Sequence, residues 1–260
     1  MKTQIFSLFS GSSGNCTLVR HGDTELLIDA GVSCRAICAS LRAVGSAPEN
    51  ISAIFVTHEH IDHVRGLDVF CKSRKIPVHI TRPSAGNLPY VAGAALCDCF
   101  VMHDILFSEN IGDDINIYSF ATSHDSACSV GYRIDFADTG ESFALATDTG
   151  YVTDGMRAAM SDVNYCVLEA NYDESMLMCG SYPYPLKRRI LSSSGHLSND
   201  DSADFAAELE ASGTKGIMLA HLSRENNYPP LAEKTVAAKL FGEARLTVAA
   251  PSEPVLLAEF

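Results

Sequence analysis

The sequence has few basic residues for its length. It contains 19 lysines and arginines against 32 aspartates and glutamates in 260 residues, which gives a formal net charge of −13. This charge argues against a protein that simply coats nucleic acid. It does not exclude a nuclease, because bound divalent metals add positive charge where a phosphate would sit. The two basic clusters, at 71–75 and 186–190, are more typical of a solvated surface than of a nucleic-acid contact.

Long apolar runs and targeting signals are also missing. No apolar stretch approaches the roughly 18 residues of a membrane span. The N-terminus "MKTQIFSLFSGSSGN" lacks the longer apolar region of a signal peptide. The nine cysteines include no second pair at zinc-ribbon spacing beside Cys97 and Cys99. We therefore expect a cytoplasmic protein with reduced thiols and no membrane partner.

Short apolar runs alternate with turn-rich segments along the chain. Helices are predicted at 33–44, 62–75, 198–211 and 231–240. Strands are predicted at 4–9, 16–20, 25–28, 51–56, 76–80, 99–102, 115–121, 130–136, 142–146, 163–169, 216–219 and 246–249. The order favours a single α/β domain over 1–260, with two mixed sheets packed face to face and helices outside. On this pattern alone, a doubly wound sheet is an alternative.

The most informative segment is "IFVTHEHIDHVRG" at 54–66. Residues at i and i+2 of an extended segment point the same way, so His58 and His60 can bind one ion together. Asp62 and His63, at the turn into the predicted helix, can face a neighbouring ion. Neutral imidazole and carboxylate are ligands that borderline divalent metals such as zinc prefer. The segment therefore predicts a metal site, against the alternative of a solvated polar loop.

Three further candidate ligands follow predicted strands. His124 comes after the strand at 115–121, Asp148 after the strand at 142–146, and His221 after the strand at 216–219. Taken singly, each has an ordinary alternative as a capping aspartate or a hydrogen-bonded histidine. Their common position favours the metal-site interpretation, because the loops of α/β proteins carry their functional sites.

These motifs resemble those of the metallo-β-lactamase superfamily, which has an aspartate after an early strand, H-x-H-x-D-H, a histidine, an aspartate and a final histidine. The early aspartate is Asp29 in "LLIDAG". The resemblance implies an αββα sandwich with two divalent ions (Zn, Mn or Fe) at one edge of the sheets. Asp29 would orient a ligand without binding metal itself. The implied ligands are His58, His60 and His124 for one ion and Asp62, His63 and His221 for the other, with Asp148 bridging.

Two more segments indicate the reaction class. Glu169 in "VLEANYDESML" and His196 in "SSGHLSNDD" resemble the glutamate and histidine of tRNase Z, the transfer-RNA 3′-processing enzyme. That resemblance implies that His196, supported by Glu169, protonates the leaving sugar oxygen, a task suited to a buried Glu–His pair. The alternative is a histidine that only precedes a helix. His60 stands where the flavodiiron branch has glutamate, which argues against a redox function.

Over its full length the sequence resembles the YycJ (WalJ) branch of the superfamily, in "SGSSGNC", "THEHIDHVRGL", "EANYDESML", "YPYPLKRRI", "GHLSN" and "LSRENN". The resemblance implies a cytoplasmic 5′-to-3′ exonuclease acting on DNA, with a link to DNA repair. Asp148 and His221 leave no room between them for the β-CASP insertion of RNase J-type nucleases. Contact with nucleic acid would therefore come from the core domain or from a homodimer.

For the reaction, we expect a metal-bridging hydroxide to attack phosphorus, with Asp62, Asp148, Glu169 and His196 as the catalytic side chains. Phosphate or sugar contacts are predicted for two short segments. They are the turn residues Ser12, Ser13 and Asn15, and Arg224 and Asn226, which follow the last histidine.

Two other functions remain open on the sequence. One is a small-molecule hydrolase, a cyclic phosphodiesterase or a lactonase, on the same dinuclear site. The lack of an obvious cationic groove favours it, and the Glu169–His196 pair disfavours it. The other is a metal-stabilised binding module without turnover, which the complete set of ligands disfavours. The ligands do not distinguish zinc from manganese or iron.

Overall fold

Apolar runs separated by turn residues form two seven-stranded sheets in a computed structural model that describes residues 1–72, 74–90 and 92–260. In the first part of the chain the strands are β1 (Thr3–Phe9), β2 (Cys16–His21), β3 (Thr24–Ile28), β4 (Ile51–Phe55), β5 (Val78–Thr81) and β6 (Phe100–His103). The helices there are α1 (Cys34–Ala43), α2 (Ile61–Val64), α3 (Leu67–Lys72), α4 (Arg82–Gly86) and α5 (Ala94–Cys97), with a 3₁₀ turn at Pro48–Asn50.

The second part of the chain continues with strands and longer helices. Its strands are β7 (Ser108–Ile111), β8 (Ile115–Ala121), β9 (Val130–Phe136), β10 (Ser142–Ala146), β11 (Tyr165–Glu169), β12 (Gly216–Ala220), β13 (Arg245–Val248) and β14 (Val255–Glu259). Its helices are α6 (Asp154–Met160), α7 (Glu174–Cys179), α8 (Tyr184–Ile190), α9 (Asn199–Ala211) and α10 (Pro229–Ala237).

The chain divides into two compact units, each with one sheet. Unit 1 consists of Met1–Phe107, Ser126–Cys128 and Ala249–Phe260, and unit 2 of Ser108–Asp125 and Ser129–Val248. The sheet of unit 1 has the order β14-β1-β2-β3-β4-β5-β6, and that of unit 2 the order β13-β12-β11-β10-β9-β8-β7. Both sheets are mixed, as predicted. The prediction of one domain over 1–260 stays a prediction.

In unit 1, β14, β1, β2 and β3 pair antiparallel, whereas β3, β4, β5 and β6 pair parallel. Helix α1 begins after Ser33, whose side chain accepts a hydrogen bond from the Ala36 amide, a typical N-cap. Its apolar residues Ile37 and Leu41 are fully buried in a core shared with the strands. This packing holds the carboxyl ends of the parallel strands in place, where functional side chains gather in such sheets.

In unit 2, β7 to β10 pair antiparallel, and β10 to β13 pair parallel. The core contains Phe205 and Leu209 of α9 against Leu168 and Leu219 of the central strands. Strands β10 and β12 are buried along their whole length and β11 from its second residue, as parallel strands covered on both faces are. Their carboxyl ends thus form a fixed edge.

The single helix predicted at 62–75 is wrong in the middle. The chain forms α2 and α3, because at Gly66 the backbone passes close to the segment after β3. The Gly66 amide donates to the carbonyl of Ala30 at 2.8 Å, and a Cβ at this position would lie 2.3 Å from the Val32 carbonyl oxygen. At Ser73 the helix prediction lies outside the described residues.

The cysteines form no disulfide in the described parts of the chain, and six of the nine are buried. Burial raises the pKa of Cys166 to about 12, so this thiol stays protonated and packs as a small apolar group. Among the described residues, we find no helix with the length and apolar character that crossing a membrane requires.

Candidate metal centre

The predicted site residues of unit 1 follow the parallel strands β3 and β4. Asp29 comes directly after β3 with its backbone in the left-handed region (φ 63°), and its amide donates to the Phe55 carbonyl at 2.9 Å. The Asp29 carboxylate accepts hydrogen bonds from the Thr57 amide (2.8 Å) and the Thr57 hydroxyl (2.9 Å). These bonds join the two strand ends just before the histidine cluster.

The histidine cluster is packed tightly and largely buried. His58 and His63 are fully buried, with ring centroids 4.1 Å apart, and the His58 and His60 centroids are 4.6 Å apart. His63 Nδ1 lies 2.7 Å from Asp29 Oδ2. A carboxylate at this position holds the Nδ1 proton and leaves the Nε2 lone pair for a metal.

The two acids of the cluster, Glu59 and Asp62, have different surroundings. Glu59, which alternates with the histidines, accepts a hydrogen bond from the Ala127 amide at 2.6 Å. Asp62 is half-buried, and its Oδ2 lies 3.6 Å from His63 Nε2. Glu59 therefore anchors the short segment at 126–128, while the Asp62 carboxylate lies beside a histidine nitrogen with a lone pair.

A glycine allows the first turn of the chain to contact this cluster. The Asn15 amide donates to the Asp62 carbonyl, and the Gly31 amide donates to the Asn15 carbonyl, both at 2.8 Å. A Cβ on Gly31 would lie 1.6 Å from the Asp62 carbonyl oxygen, so only glycine fits. The Asn15 side chain reaches His63 Nε2 at 3.0 Å.

The hydrogen bonds of the turn at 11–15 decide which of its residues can contact a phosphate. The amides of Gly14 and Asn15 donate to backbone carbonyls within the chain, at 2.9 and 2.8 Å, so they do not face a ligand. Ser12 is exposed and Ser13 is half-buried. Asn15 is buried, and its side chain bonds the Gly11 amide and His63, so we correct its predicted contact with phosphate. For Ser12 and Ser13 the phosphate contact stays a prediction.

In unit 2 the candidates lie at the carboxyl ends of three parallel strands. Asp148 stands two residues after β10, Glu169 ends β11, and His221 directly follows β12. Asp148 (φ 58°) and His221 (φ 57°) have left-handed backbones. Such a conformation costs a non-glycine residue about 1–2 kcal/mol, and strain of this kind gathers at functional sites.

Glu169 is the central side chain of this group. The residue is fully buried. Its Oε1 lies 2.7 Å from His196 Nδ1 and 3.1 Å from His221 Nδ1. Its Oε2 accepts hydrogen bonds from the amides of Thr149 (2.9 Å) and Leu197 (3.2 Å). Burial opposes ionisation, but the charge of His196 and the hydrogen bonds from His196 and His221 outweigh it and lower the pKa of the Glu169 carboxyl.

Asp148 faces three histidines of the same unit. Its Oδ1 lies 3.5 Å from His221 Nε2, 3.7 Å from His124 Nε2 and 3.8 Å from His196 Nδ1. His124 Nδ1 lies 3.0 Å from the Gly195 carbonyl, which holds a proton on Nδ1. Burial lowers the pKa of His124 although Asp148 is near, and the neutral imidazole is the form that binds a metal.

The residues present fit divalent metal ions. In unit 2 the ligand atoms of Asp148, Glu169, His196 and His221 lie within 4.8 Å of one another. In both units histidines have Nδ1 held by an acceptor, with carboxylates close by. This is the donor chemistry of zinc and manganese sites. The structure therefore supports the divalent metal binding that the sequence predicts, while the number and identity of the ions stay predictions.

Two residues that the sequence did not single out hold these side chains in place. Thr57 connects Asp29 to the histidine loop through its hydroxyl, which also lies 3.1 Å from His58 Nδ1 and from His63 Nδ1. Asn171 Nδ2 donates to the His221 carbonyl at 2.7 Å and lies 3.2 Å from its Nδ1. The positions of Thr57 before the histidines and Asn171 after Glu169 were the available signals.

The two residues predicted after His221 have different surroundings. Arg224 is exposed. Asn226 is 1% exposed, its carbonyl accepts from the Asp173 amide at 2.9 Å, and its Oδ1 lies close to where a Cβ on Gly180 would be. A side chain enclosed in this way does not reach a substrate, so we correct the predicted contact of Asn226 with phosphate.

Comparison with known proteins gives the class. Residues 24–221 match the family described as "Beta-lactamase superfamily domain". The metallo-β-lactamase-fold protein YhfI from Bacillus subtilis superposes with a TM-score of 0.73 at 16% identity, over 98% of this chain and all of that one. The chain therefore belongs to the β-lactamase superfamily, and the predicted metallo-β-lactamase fold is confirmed.

Closer relatives lie within that superfamily. The chain is 38% identical over 235 residues to the exodeoxyribonuclease YycJ of Bacillus anthracis, covering 88% of this chain and 86% of that protein. It is 37% identical over 235 residues to the exodeoxyribonuclease WalJ of Streptococcus pneumoniae, covering 90% and 86%. The predicted resemblance to the YycJ (WalJ) branch is thereby confirmed.

Proposed function

We propose that the protein is a metal-dependent phosphodiesterase that removes nucleotides from DNA in the 5′-to-3′ direction. The observation that carries the proposal is the hydrogen bond between Glu169 and His196 (2.7 Å), in which the acid is fully buried and the histidine side chain is 20% exposed. The exodeoxyribonuclease names of the two relatives support a DNA substrate.

We propose two divalent ions for this chain, with the ligands that the family pattern implies. His58, His60 and His124 would hold one, and Asp62, His63 and His221 the other, with Asp148 shared. Bound ions of this kind acidify water toward neutral pH and neutralise charge that builds up on a phosphate. Asp29 would keep the His63 ring in its ligand orientation through the 2.7 Å bond to Nδ1.

Protonation of the leaving group follows from the chain's own side chains. A sugar alkoxide is a poor leaving group, so its departure is faster when a proton is delivered as the bond breaks. Glu169, held ionised by its hydrogen bonds, accepts from His196 Nδ1 and stabilises the protonated imidazole. His196 Nε2 then carries the proton for the sugar oxygen. Ser12, Ser13 and Arg224, none of which is buried, are our candidates for phosphate contacts.

The test is digestion of 5′-phosphorylated double-stranded DNA with added Mn²⁺, comparing the wild type with Asp148→Asn prepared in parallel. We expect stepwise loss of nucleotides from the 5′ end by the wild type alone. Equal activity in both preparations would identify a contaminating nuclease. An inactive, fully metallated wild type would contradict the proposal and favour a small-molecule phosphodiesterase.

A further inference from the structure

The most basic segment of unit 2 forms helix α8, whose two faces differ. Leu186 and Ile190 pack into a small apolar cluster with Tyr172, Leu177 and Tyr182. On the other face, residues at i, i+4 and i+7 line up along the helix direction. We call this line the α8 stripe: Tyr184 is 67% exposed, Leu191 is 40% exposed, and Arg188 between them is exposed.

The three consecutive cations of α8 have separate roles. Lys187 Nζ donates to the carbonyls of Met178 (2.7 Å) and Gly180 (2.8 Å), and so caps the end of α7. Arg189 forms an ion pair with Asp125. Within residues 1–72, 74–90 and 92–260, no carboxylate forms an ion pair with Arg188. The three cations therefore differ: Lys187 and Arg189 bond to other parts of the protein, whereas Arg188 is exposed one helical turn from the exposed Tyr184.

The C-terminal end of α8, where the stripe also ends, is hydrogen-bonded to the loop that carries the proposed proton donor. The His196 amide donates to the Ile190 carbonyl at 3.1 Å, and the Gly195 amide to the Ser192 carbonyl at 2.9 Å. A Cβ on Gly195 would lie 2.1 Å from the Ile190 carbonyl oxygen, so the loop lies against the end of the helix. The seven residues of α8 extend only about 10 Å from this point.

We propose that the α8 stripe binds the DNA strand next to the phosphate that is cleaved, with Arg188 on a backbone phosphate and Tyr184 stacked on a base. This inference rests on the proposed function. A guanidinium matches the geometry of phosphate oxygens, and an aromatic ring stacks on any base. An exposed cation beside an exposed aromatic ring suits a nucleic-acid strand better than an acidic peptide, because the strand offers a base for stacking as well as a phosphate.

The test measures KM for 5′-phosphorylated DNA and for bis(p-nitrophenyl) phosphate, a diester too small to reach the stripe. For Arg188→Glu we expect KM for DNA to rise about tenfold relative to KM for the small diester. The slope of log K for DNA binding against log salt concentration should become shallower by about one, because one phosphate contact is lost. For Tyr184→Ala we expect a rise of about fivefold, from lost stacking. Lys234→Glu makes the same change of charge at an exposed position of α10 and should leave KM for both substrates unchanged.

The outcomes separate the inference from the function on which it rests. If the wild type cleaves DNA and Arg188→Glu keeps the same KM ratio, the stripe proposal is wrong and the exonuclease stands. If Arg188→Glu loses both substrates equally, the residue acts on the His196 loop, and the stripe proposal is again wrong. If the wild type cleaves only the small diester, both proposals fail.

Discussion

The ligand candidates of unit 1 and unit 2 are arranged in different ways. In unit 1 they come from one short loop, His58 to His63, after β4. In unit 2 they come from separate loops after β8, β10 and β12, the first and last of them nearly a hundred residues apart in the sequence. The first arrangement depends on local backbone geometry, whereas the second depends on parallel pairing that aligns the strand ends.

Both units contain a buried carboxylate that accepts a hydrogen bond from a histidine Nδ1, but the number of histidines that each carboxylate contacts differs. Asp29 lies 2.7 Å from one histidine, His63. Glu169 lies 2.7 Å from His196 and 3.1 Å from His221. A change at Glu169 therefore affects a proposed proton donor and a proposed metal ligand together, and we expect it to have the larger effect.

The largest expected effect comes from Glu169→Gln. The substitution keeps the size but removes the charge shared by His196 and His221, so kcat on DNA should fall about 10²- to 10⁴-fold, the range for general acid catalysis. Steady-state kinetics and metal analysis measure this, with exposed Glu174→Gln on α7 as the control. A fall of less than tenfold would contradict the shared role of Glu169.

Asp29→Asn should act mainly through the metal. It weakens the hold on His63 Nδ1, so we expect metal affinity to fall about 10- to 100-fold and activity to recover at high metal concentration. Titration with Zn²⁺ or Mn²⁺ by calorimetry measures the affinity directly. Asp23→Asn, at an exposed turn of the same unit, is the control. Loss of activity with unchanged affinity would count against this role of Asp29.

A smaller effect is expected from Asn171→Ala, which removes the donor to the His221 carbonyl. Metal affinity should fall about tenfold, with about 1 kcal/mol of stability lost from a buried hydrogen bond. Asn199→Ala is the matched control, because Asn199 donates to the buried Asn227 side chain and, within the described parts of the chain, forms no hydrogen bond with His221. If both variants lower stability and neither changes metal affinity, Asn171 is only structural.

The smallest effect on the site is expected from changing His79, which pairs with His103 in unit 1, outside the predicted metal site. His79 Nδ1 lies 3.0 Å from His103 Nε2, and burial together with His103 lowers the pKa of His79 to about 4. This folded-state pKa is below the ordinary value of about 6.5, so the unfolded chain binds the extra proton and stability falls as pH drops from about 6.5 to 4. The free energy of unfolding should fall by up to about 1.4 kcal/mol per pH unit.

His79→Gln should flatten that pH dependence without changing the metal content. Urea unfolding of both proteins at pH 7 and pH 5 gives the comparison. An equally steep dependence in the variant would show that another group takes up the proton.

The sequence was informative where a signal is local. Turn residues fix the ends of β8, β9 and β10, and the predicted bounds of these strands agree with the structure. Strand β14 was missed, since its pairing with β1, for example Gln4 with Glu259, joins opposite ends of the chain. The helix at 62–75 was divided because Gly66 packs against a distant backbone, which helical spacing does not reveal.

The same distinction holds for the site. The ligand candidates were predicted from their residue types and spacing, and their roles stay predictions. Thr57 and Asn171 act through partners 28 and 50 residues away, and the sequence shows only that they stand near predicted site residues, not which side chains they contact. Asn226 was predicted to contact phosphate or sugar because it follows His221 closely, whereas the fold encloses its side chain beside Gly180.

The central claim is that His196, held by Glu169, protonates the leaving group. Its most direct test compares His196→Ala with the wild type on DNA and on bis(p-nitrophenyl) phosphate, whose leaving p-nitrophenolate is stable without a proton. We predict a fall of about 10²- to 10⁴-fold on DNA and a far smaller change on the nitrophenyl diester. An equal fall on both substrates, or no fall on DNA, would contradict the account.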